Sequence, residues 1–423
     1  MSIKTKQDIL DVLAMPQDEF ERTVMAEAKK IHQSANRDEL VATAMLGFDN
    51  ICKNQCLYCG MRAGNKNVDR YRLDPDQVIG AADAAFALGF RRIFLIAGED
   101  PRYGFDRILS IVEALHAKRF FISLALGALA KSQYDELKSA GADEYVLKFE
   151  MSQRDVFNRL KPQTSFDERM ASIGWIKESG LLLGSGSIVD YPGQTADELA
   201  EDVLLTRDLG IHWAPVIPYM PAKGTPLALE GGPGKTDRNL KVISLLRIMM
   251  PHVRITAQQP GKDVSKGLAD PKGNLDALNA GADMLFADML PDALSRNFSV
   301  VDNRITRGLE HISNMADQAG MRLVFNESET IEHLVKVECI TTDSDVGSDI
   351  RKEIISALDA LQPALAMAHC KTHYTERTCM PSDELQSGTV VLVNGEKLII
   401  PAYSAVSDCV AKRILELVFD PQQ

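Results

Sequence analysis

Residues 43–59 read Thr43-Ala44-Met45-Leu46-Gly47-Phe48-Asp49-Asn50-Ile51-Cys52-Lys53-Asn54-Gln55-Cys56-Leu57-Tyr58-Cys59. A β-type run over 43–48 empties directly into three cysteines spaced C-x3-C-x2-C. Three thiolates on one loop can hold three irons of a 4Fe-4S cluster and leave the fourth iron open to another ligand. The competing readings are a zinc knuckle short of its fourth ligand, since structural zinc closes with four Cys or His side chains, or three incidental buried thiols.

Seven further β-type runs follow, at 92–97, 121–125, 145–149, 183–187, 214–218, 253–256 and 284–287, with helical periodicity between them. Thr195 with Glu198 forms a capping-box signature, and Ala140-Gly141-Ala142-Asp143, echoed by Ala280-Gly281-Ala282-Asp283, marks helix ends returning to a strand. Eight βα units in about 250 residues predict a closed parallel (β/α)8 TIM-type barrel with its chemistry at the C-terminal strand ends. A doubly wound open sheet is the rival. The first 38 residues read as helices, and 305–320 as the last barrel helix.

Beyond that the pattern changes. A strand at 334–341, a helix at 348–361, a strand at 364–368, a hairpin of 389–393 with 397–400 around Asn394-Gly395, and a helix at 405–418 describe a small α+β domain. The order loosely resembles a thioredoxin-type fold, without its Cys-x-x-Cys pair. The expected division is 1–325 for the barrel and 326–423 for the accessory domain.

The chain has 423 residues and a formal net charge of -12, of which -8 belongs to 326–423 (8 Lys+Arg against 16 Asp+Glu). An acidic balance argues against a general nucleic-acid binder. The most apolar run, 120–130, is too short to cross a bilayer, and the N-terminus lacks a signal-peptide core. Seven cysteines, three of them within eight residues, are not a secreted disulfide framework, so a reducing cytoplasmic setting is expected. Cys339, Cys370, Cys379 and Cys409, with His369 and His373, are candidates for an accessory metal site, with 368–373 as its nucleus.

The C-x3-C-x2-C loop with Tyr58 before its last cysteine resembles the signature of radical S-adenosylmethionine (SAM) enzymes. The resemblance extends through Cys56 to Asn67, Ala97-Gly98-Glu99-Asp100-Pro101, Leu160-Lys161-Pro162-Gln163-Thr164-Ser165, the stretch from Gly186 to Thr195, and Gly224-Thr225-Pro226-Leu227. In order and spacing these are similar to the FeFe-hydrogenase maturase HydE and the 3-methylornithine synthase PylB, over about residues 18–320.

The resemblance implies that Cys52, Cys56 and Cys59 carry a 4Fe-4S cluster whose open iron chelates SAM. An electron from the cluster would then cleave SAM to methionine and a 5′-deoxyadenosyl radical that attacks a small-molecule substrate. It further implies that the segment of Gly98, Glu99 and Asp100 holds the SAM amine through backbone groups, that Tyr58 lies beside the adenine, and that Glu150 lies near the ribose or amine. Lys161 stands where HydE proteins have a carboxylate-binding Arg, and Ser123 is either a ribose contact or a buried barrel serine. The electron would come from a donor such as flavodoxin or ferredoxin. A protein partner for the acidic domain, a non-catalytic cluster or cofactor carrier, and an amino-acid mutase of PylB type are the further expectations. On the substrate side the HydE pattern lapses: Thr43 replaces its arginine, Ala257-Gln258-Gln259 replaces its paired threonines, and 287–291 reads Ala-Asp-Met-Leu-Pro.

Overall fold

The computed structural model describes residues 3–36, 38–302, 307–326, 333–341, 344–367, 370–378, 389–393, 396–398 and 406–419. It falls into two compact units, Met1–Glu329 and Thr330–Gln423.

In the first unit the strands are β1 (Glu39–Asp49), β2 (Arg92–Ala97), β3 (Phe121–Ala125), β4 (Glu144–Val146), β5 (Leu182–Gly184), β6 (Ile188–Val189), β7 (Trp213–Ala214), β8 (Ile217–Pro218), β9 (Arg254–Ile255), β10 (Met284–Asp288) and β11 (Arg322–Val324). The main sheet is wholly parallel, in the order β10-β1-β2-β3-β4-β5-β7-β9, and a parallel bridge from Thr256 to Met284 joins its two ends. Each of the eight barrel strands expected from the sequence contributes to this ring, although the end of the run 214–218 leaves it as β8. β6 and β8 pair above it as a short second layer, and β11 adds to the start of β1.

The echoed Ala-Gly-Ala-Asp endings now have a physical account. Gly141 and Gly281 take φ of +105° and +103°, a left-handed conformation that glycine adopts without a Cβ penalty. Each following aspartate then reaches back to the neighbouring strand: Asp143 Oδ2 accepts from Ile122 N at 2.8 Å, and Asp283 Oδ1 from Ile255 N at 2.7 Å. The repeat is a clamp that fixes strand register on the barrel's lower rim. The Thr195 and Glu198 capping box also forms, with Thr195 N donating to Glu198 Oε2 at 2.7 Å.

Beneath the ring, charges are buried in compensated groups. Glu144 accepts from Arg92 Nη2 at 2.7 Å and from Ser123 Oγ at 2.5 Å, and pairs with His212 Nδ1 at 2.6 Å. Burial alone would raise the Glu144 carboxyl, but Arg92, His212 and Ser123 together hold it below the ordinary range. Arg247 and Arg254 share Asp283, each at 3.1 Å.

The second unit contains β12 (His333–Thr341), β13 (Cys370–Thr378), β14 (Thr389–Val393) and β15 (Glu396–Lys397), in the order β13-β12-β14-β15. β12 and β13 are parallel, whereas β14 runs antiparallel to β12. Helices Ser344–Met367 and Val406–Phe419 accompany them. Val337, Cys339, Ile354, Leu358, Val391, Val393, Val410 and Ile414 form a core of its own.

Two expectations are corrected here. The helix runs straight through Pro363 and takes in 364–368 as far as Met367, because Ala364, Leu365 and Ala366 are strong helix formers that tolerate the one hydrogen bond proline forgoes. The second parallel strand is 370–378 instead, so the proposed metal nucleus at 368–373 falls largely on a strand. In that ladder Cys370 opposes His333 and Cys339 opposes Glu376. Six rungs separate the two cysteines, about 20 Å at roughly 3.3 Å per residue, so they cannot share an ion. Cys339 is a core residue. His369, Cys379 and the Asn394-Gly395 turn lie outside the described residues.

Candidate active site

The cysteine loop leaves β1 at Asp49 and is fastened on all sides. Lys53 N donates to Glu99 O at 2.9 Å, Leu57 N to Leu160 O at 2.8 Å, and Gly60 N to Val300 O at 3.0 Å. Arg70, which the motif reading passed over, sews the far side: its guanidinium donates to the carbonyls of Asn50 (2.6 Å), Met61 (2.8 Å) and Arg62 (2.7 Å). Asn50 Nδ2 reaches Asn297 O at 2.7 Å, and Phe298 packs so closely on Gly47 that a Cβ there would lie 2.6 Å from its ring. Residues 297–302 therefore lie across the loop.

Cys52, Cys56 and Cys59 all line one cavity of about 380 Å3 at the C-terminal strand ends, and all are free thiols. Among the described residues no three Cys, His, Asp or Glu side chains close round a single ion. Sulfurs that share a cavity without converging on a point suit a multinuclear cluster better than a zinc knuckle. Burial pushes the Cys59 thiol up to about 12, with the neighbouring Cys56 adding to the shift, and burial also raises Cys52. Binding metal must displace these protons.

Tyr58, Gly98, Glu99, Glu150 and Lys161 line the same cavity. A Cβ at Gly98 would stand 2.1 Å from Ile51 O, so only glycine lets the end of β2 lie against the cysteine loop. Glu150 sits at φ +66°, bridged to Ser187, with its carboxylate 3.4 Å from Lys148 Nζ. Burial, and then the charge of Glu150, raise the Tyr58 hydroxyl well above its ordinary value.

Two expected contacts are not in this cavity. Ser123 is fully buried below it on Glu144, so the buried-serine alternative holds and the ribose contact does not. Asp100 turns away to Arg72, whose Nε donates to it at 2.7 Å, and faces a second cavity of about 250 Å3. Beside it burial lifts Asp49 to about 7; the Ile51 amide pulls the other way, and Asp100 adds to the rise. On the substrate side Thr43, Ala257 and Gln259 do not line the main cavity, whereas Met45, Gln258 and Asp288 do.

Arg169 is the residue that motif reading missed. It lines the cavity from the helix Phe166–Glu178, is 4% exposed, and has an Nε with no hydrogen-bond partner. Among the described residues no carboxylate pairs with it. The one available signal was positional, since Arg169, Ser172, Ile173 and Ile176 form the buried face of that helix. Lys161, 6% exposed, instead donates to Cys56 Sγ at 3.3 Å. Tyr58 and Tyr219 present two more unpartnered buried hydroxyls on the same wall. Sulfur ligands, buried cations and orphaned polar atoms in one cavity fit a cluster together with a charged, polar cosubstrate.

A parallel barrel with three cysteines at its catalytic face defines an iron–sulfur enzyme of TIM-like architecture. The profile of the Radical SAM superfamily matches residues 48–205. The [FeFe] hydrogenase maturase subunit HydE of Thermotoga maritima is 32% identical over 301 residues, covering 71% of this chain and 85% of that protein. The 3-methylornithine synthase of Methanosarcina barkeri is 25% identical over 296 residues, covering 68% and 81%. Among solved structures, methylornithine synthase (PylB) superposes with a TM-score of 0.67 at 23% identity over 76% of this chain and 94% of that one, a likeness of fold. The chain belongs to the radical SAM superfamily, whose members are enzymes that use a 4Fe-4S cluster and SAM. No helix among the described residues is long and apolar enough to cross a membrane.

Proposed function

We propose that Cys52, Cys56 and Cys59 ligate the cluster, that Lys161 supports it through Cys56, and that the adjoining wall of Tyr58, Gly98, Glu99, Glu150 and Arg169 binds SAM. The observation that carries this reading is the convergence of all nine side chains or backbones on one cavity. When bound and reduced, the cluster supplies the electron that splits the SAM sulfonium to methionine and a 5′-deoxyadenosyl radical. The chain's own residues position and enclose. Arg169, an uncompensated buried cation, would meet the SAM carboxylate with a fork that Lys161 cannot offer. Gly98 and Glu99 bring backbone groups, and Glu150 a carboxylate, toward the amine and ribose. Tyr58 covers the adenine side.

The acceptor is a small molecule, consumed in cofactor maturation or amino-acid-derived biosynthesis as the names of the two relatives suggest. A flavodoxin or ferredoxin in the cytoplasm is the fitting electron donor, and the acidic second unit is the surface available to a protein partner. After anaerobic reconstitution, dithionite and SAM should yield 5′-deoxyadenosine, and Cys→Ala at 52, 56 or 59 should abolish both the product and the cluster's absorbance. SAM binding with no cleavage would replace this reading with a non-catalytic carrier.

A further inference from the structure

Below the strand ends, the cavity rests on three rings. Phe94 of β2, Trp213 of β7 and Phe286 of β10 all line it and all are buried. The Phe94 and Trp213 centroids stand 5.0 Å apart at 89°, Phe94 and Phe286 5.8 Å apart, and Trp213 and Phe286 5.4 Å apart. Met45, Ala125 and Val146 pack around them. Two N–H donors beside the rings are already engaged: Trp213 Nε1 donates to Thr256 Oγ1 at 2.9 Å, and Gln258 Nε2 to Phe286 O at 3.4 Å.

The charged groups nearby belong to other layers. Arg92 lies beneath, 5.8 Å from the Trp213 ring and held by Glu144. Asp288 lies two residues beyond Phe286 along β10, and Arg307 lines the cavity from the segment after it. Aromatic rings can also cage an alkylammonium, but only with ring faces spread round a gap. These three rings are in mutual contact, at the separations of packed aromatic pairs, and leave no gap between them. A cation brought down to them would lose its water without gaining a carboxylate.

Resting on the radical SAM reading of this cavity, we propose that its substrate presents an uncharged hydrocarbon group, aliphatic or aromatic, to the floor of Phe94, Trp213 and Phe286. Its polar end faces Gln258, Asp288 and Arg307. This excludes substrates whose inner end is an ammonium group.

The test is calorimetric titration of the reconstituted, SAM-saturated protein with two isosteric probes that share a carboxylate end and differ only at the far end, heptanoate (methyl) and 6-aminohexanoate (ammonium). Heptanoate should bind with a negative heat-capacity change, the mark of apolar burial, and 6-aminohexanoate at least tenfold more weakly. Phe286→Asp should erase or invert that preference. Equal binding of the probes, tighter binding of the ammonium probe, no binding of heptanoate, or an unchanged preference in folded F286D would each overturn the proposal. If F286D does not fold, the wild-type comparison decides alone. Parallel assay of 5′-deoxyadenosine keeps the two readings apart: its absence sinks the radical SAM reading, whereas its presence with an inverted probe ranking sinks only this one.

Discussion

Lys161 and Arg169 are two buried cations close in sequence, and they meet different atoms. Lys161 donates to Cys56 Sγ, and hydrogen bonds to cluster sulfurs raise reduction potential. Lys161→Met should therefore make the cluster harder to reduce, by about tenfold in the reduction equilibrium or roughly 59 mV for one electron. An EPR-monitored titration without SAM measures it, with iron content as the control. Arg169→Met should instead weaken SAM binding tenfold or more by calorimetry, and Arg169→Lys should recover only part of that. An equal effect of both substitutions on both readouts would contradict this division of labour. The cysteines were legible because their spacing is local. Arg169 was not, because an arginine in a helix normally reads as solvent-facing, and only its neighbours' burial shows otherwise. The place of the Asp100 side chain was not legible for a related reason: adjacency to Gly98 and Glu99 in sequence says nothing about which side of the strand end a side chain takes, and Arg72 draws it away.

Among the elements, strand positions were legible throughout the barrel, since short apolar runs between glycine-ended helices admit few alternatives. Their lengths were not. The runs at 145–149 and 183–187 keep only their first two residues in β4 and β5, and 214–218 splits between β7 and β8, because tops of strands bend away to build the site. The join between β2 and the cysteine loop is the tightest of these contacts. Gly98→Ala would drive a methyl into Ile51 O, and overpacking of this kind costs about 1–3 kcal/mol. Reconstituted G98A should show a lowered midpoint of thermal unfolding and reduced iron occupancy. A variant with full occupancy and unchanged stability would mean that the loop yields at no cost. In the second unit, the short apolar run 364–368 reads as a strand, yet its alanines and leucine carry the helix on past Pro363.

At the scale of the molecule, the two units hold separate cores, and every residue proposed to touch cluster or SAM belongs to the first. A chain ending at 329 should thus bind the cluster and form 5′-deoxyadenosine with dithionite. Loss of folding on truncation would show that the units depend on each other. Acid sensitivity should arise in the barrel. His32, buried against Glu39 O, is held down to about 4 by burial and then by Arg247. Its neutral form suits the folded state, so the stability is complete above pH 6.5 and is lost as pH falls toward 4, by at most roughly 3 kcal/mol. His32→Gln should flatten that part of the pH–stability profile, as read by urea unfolding at pH 7 and pH 4.5.

The segment 297–302 adds a constraint on how the enzyme matures. Asn297 and Val300 offer carbonyls to Asn50 and Gly60, while Phe298 seals Gly47, so the loop that receives iron is strapped from outside. These contacts fix the loop's backbone before any metal arrives, so the three thiols are held near their places in the empty protein. Asn50→Ala, which releases the hold on Asn297, should lower iron occupancy after reconstitution while all three cysteines remain; unchanged occupancy would mean that the metal itself orders the loop.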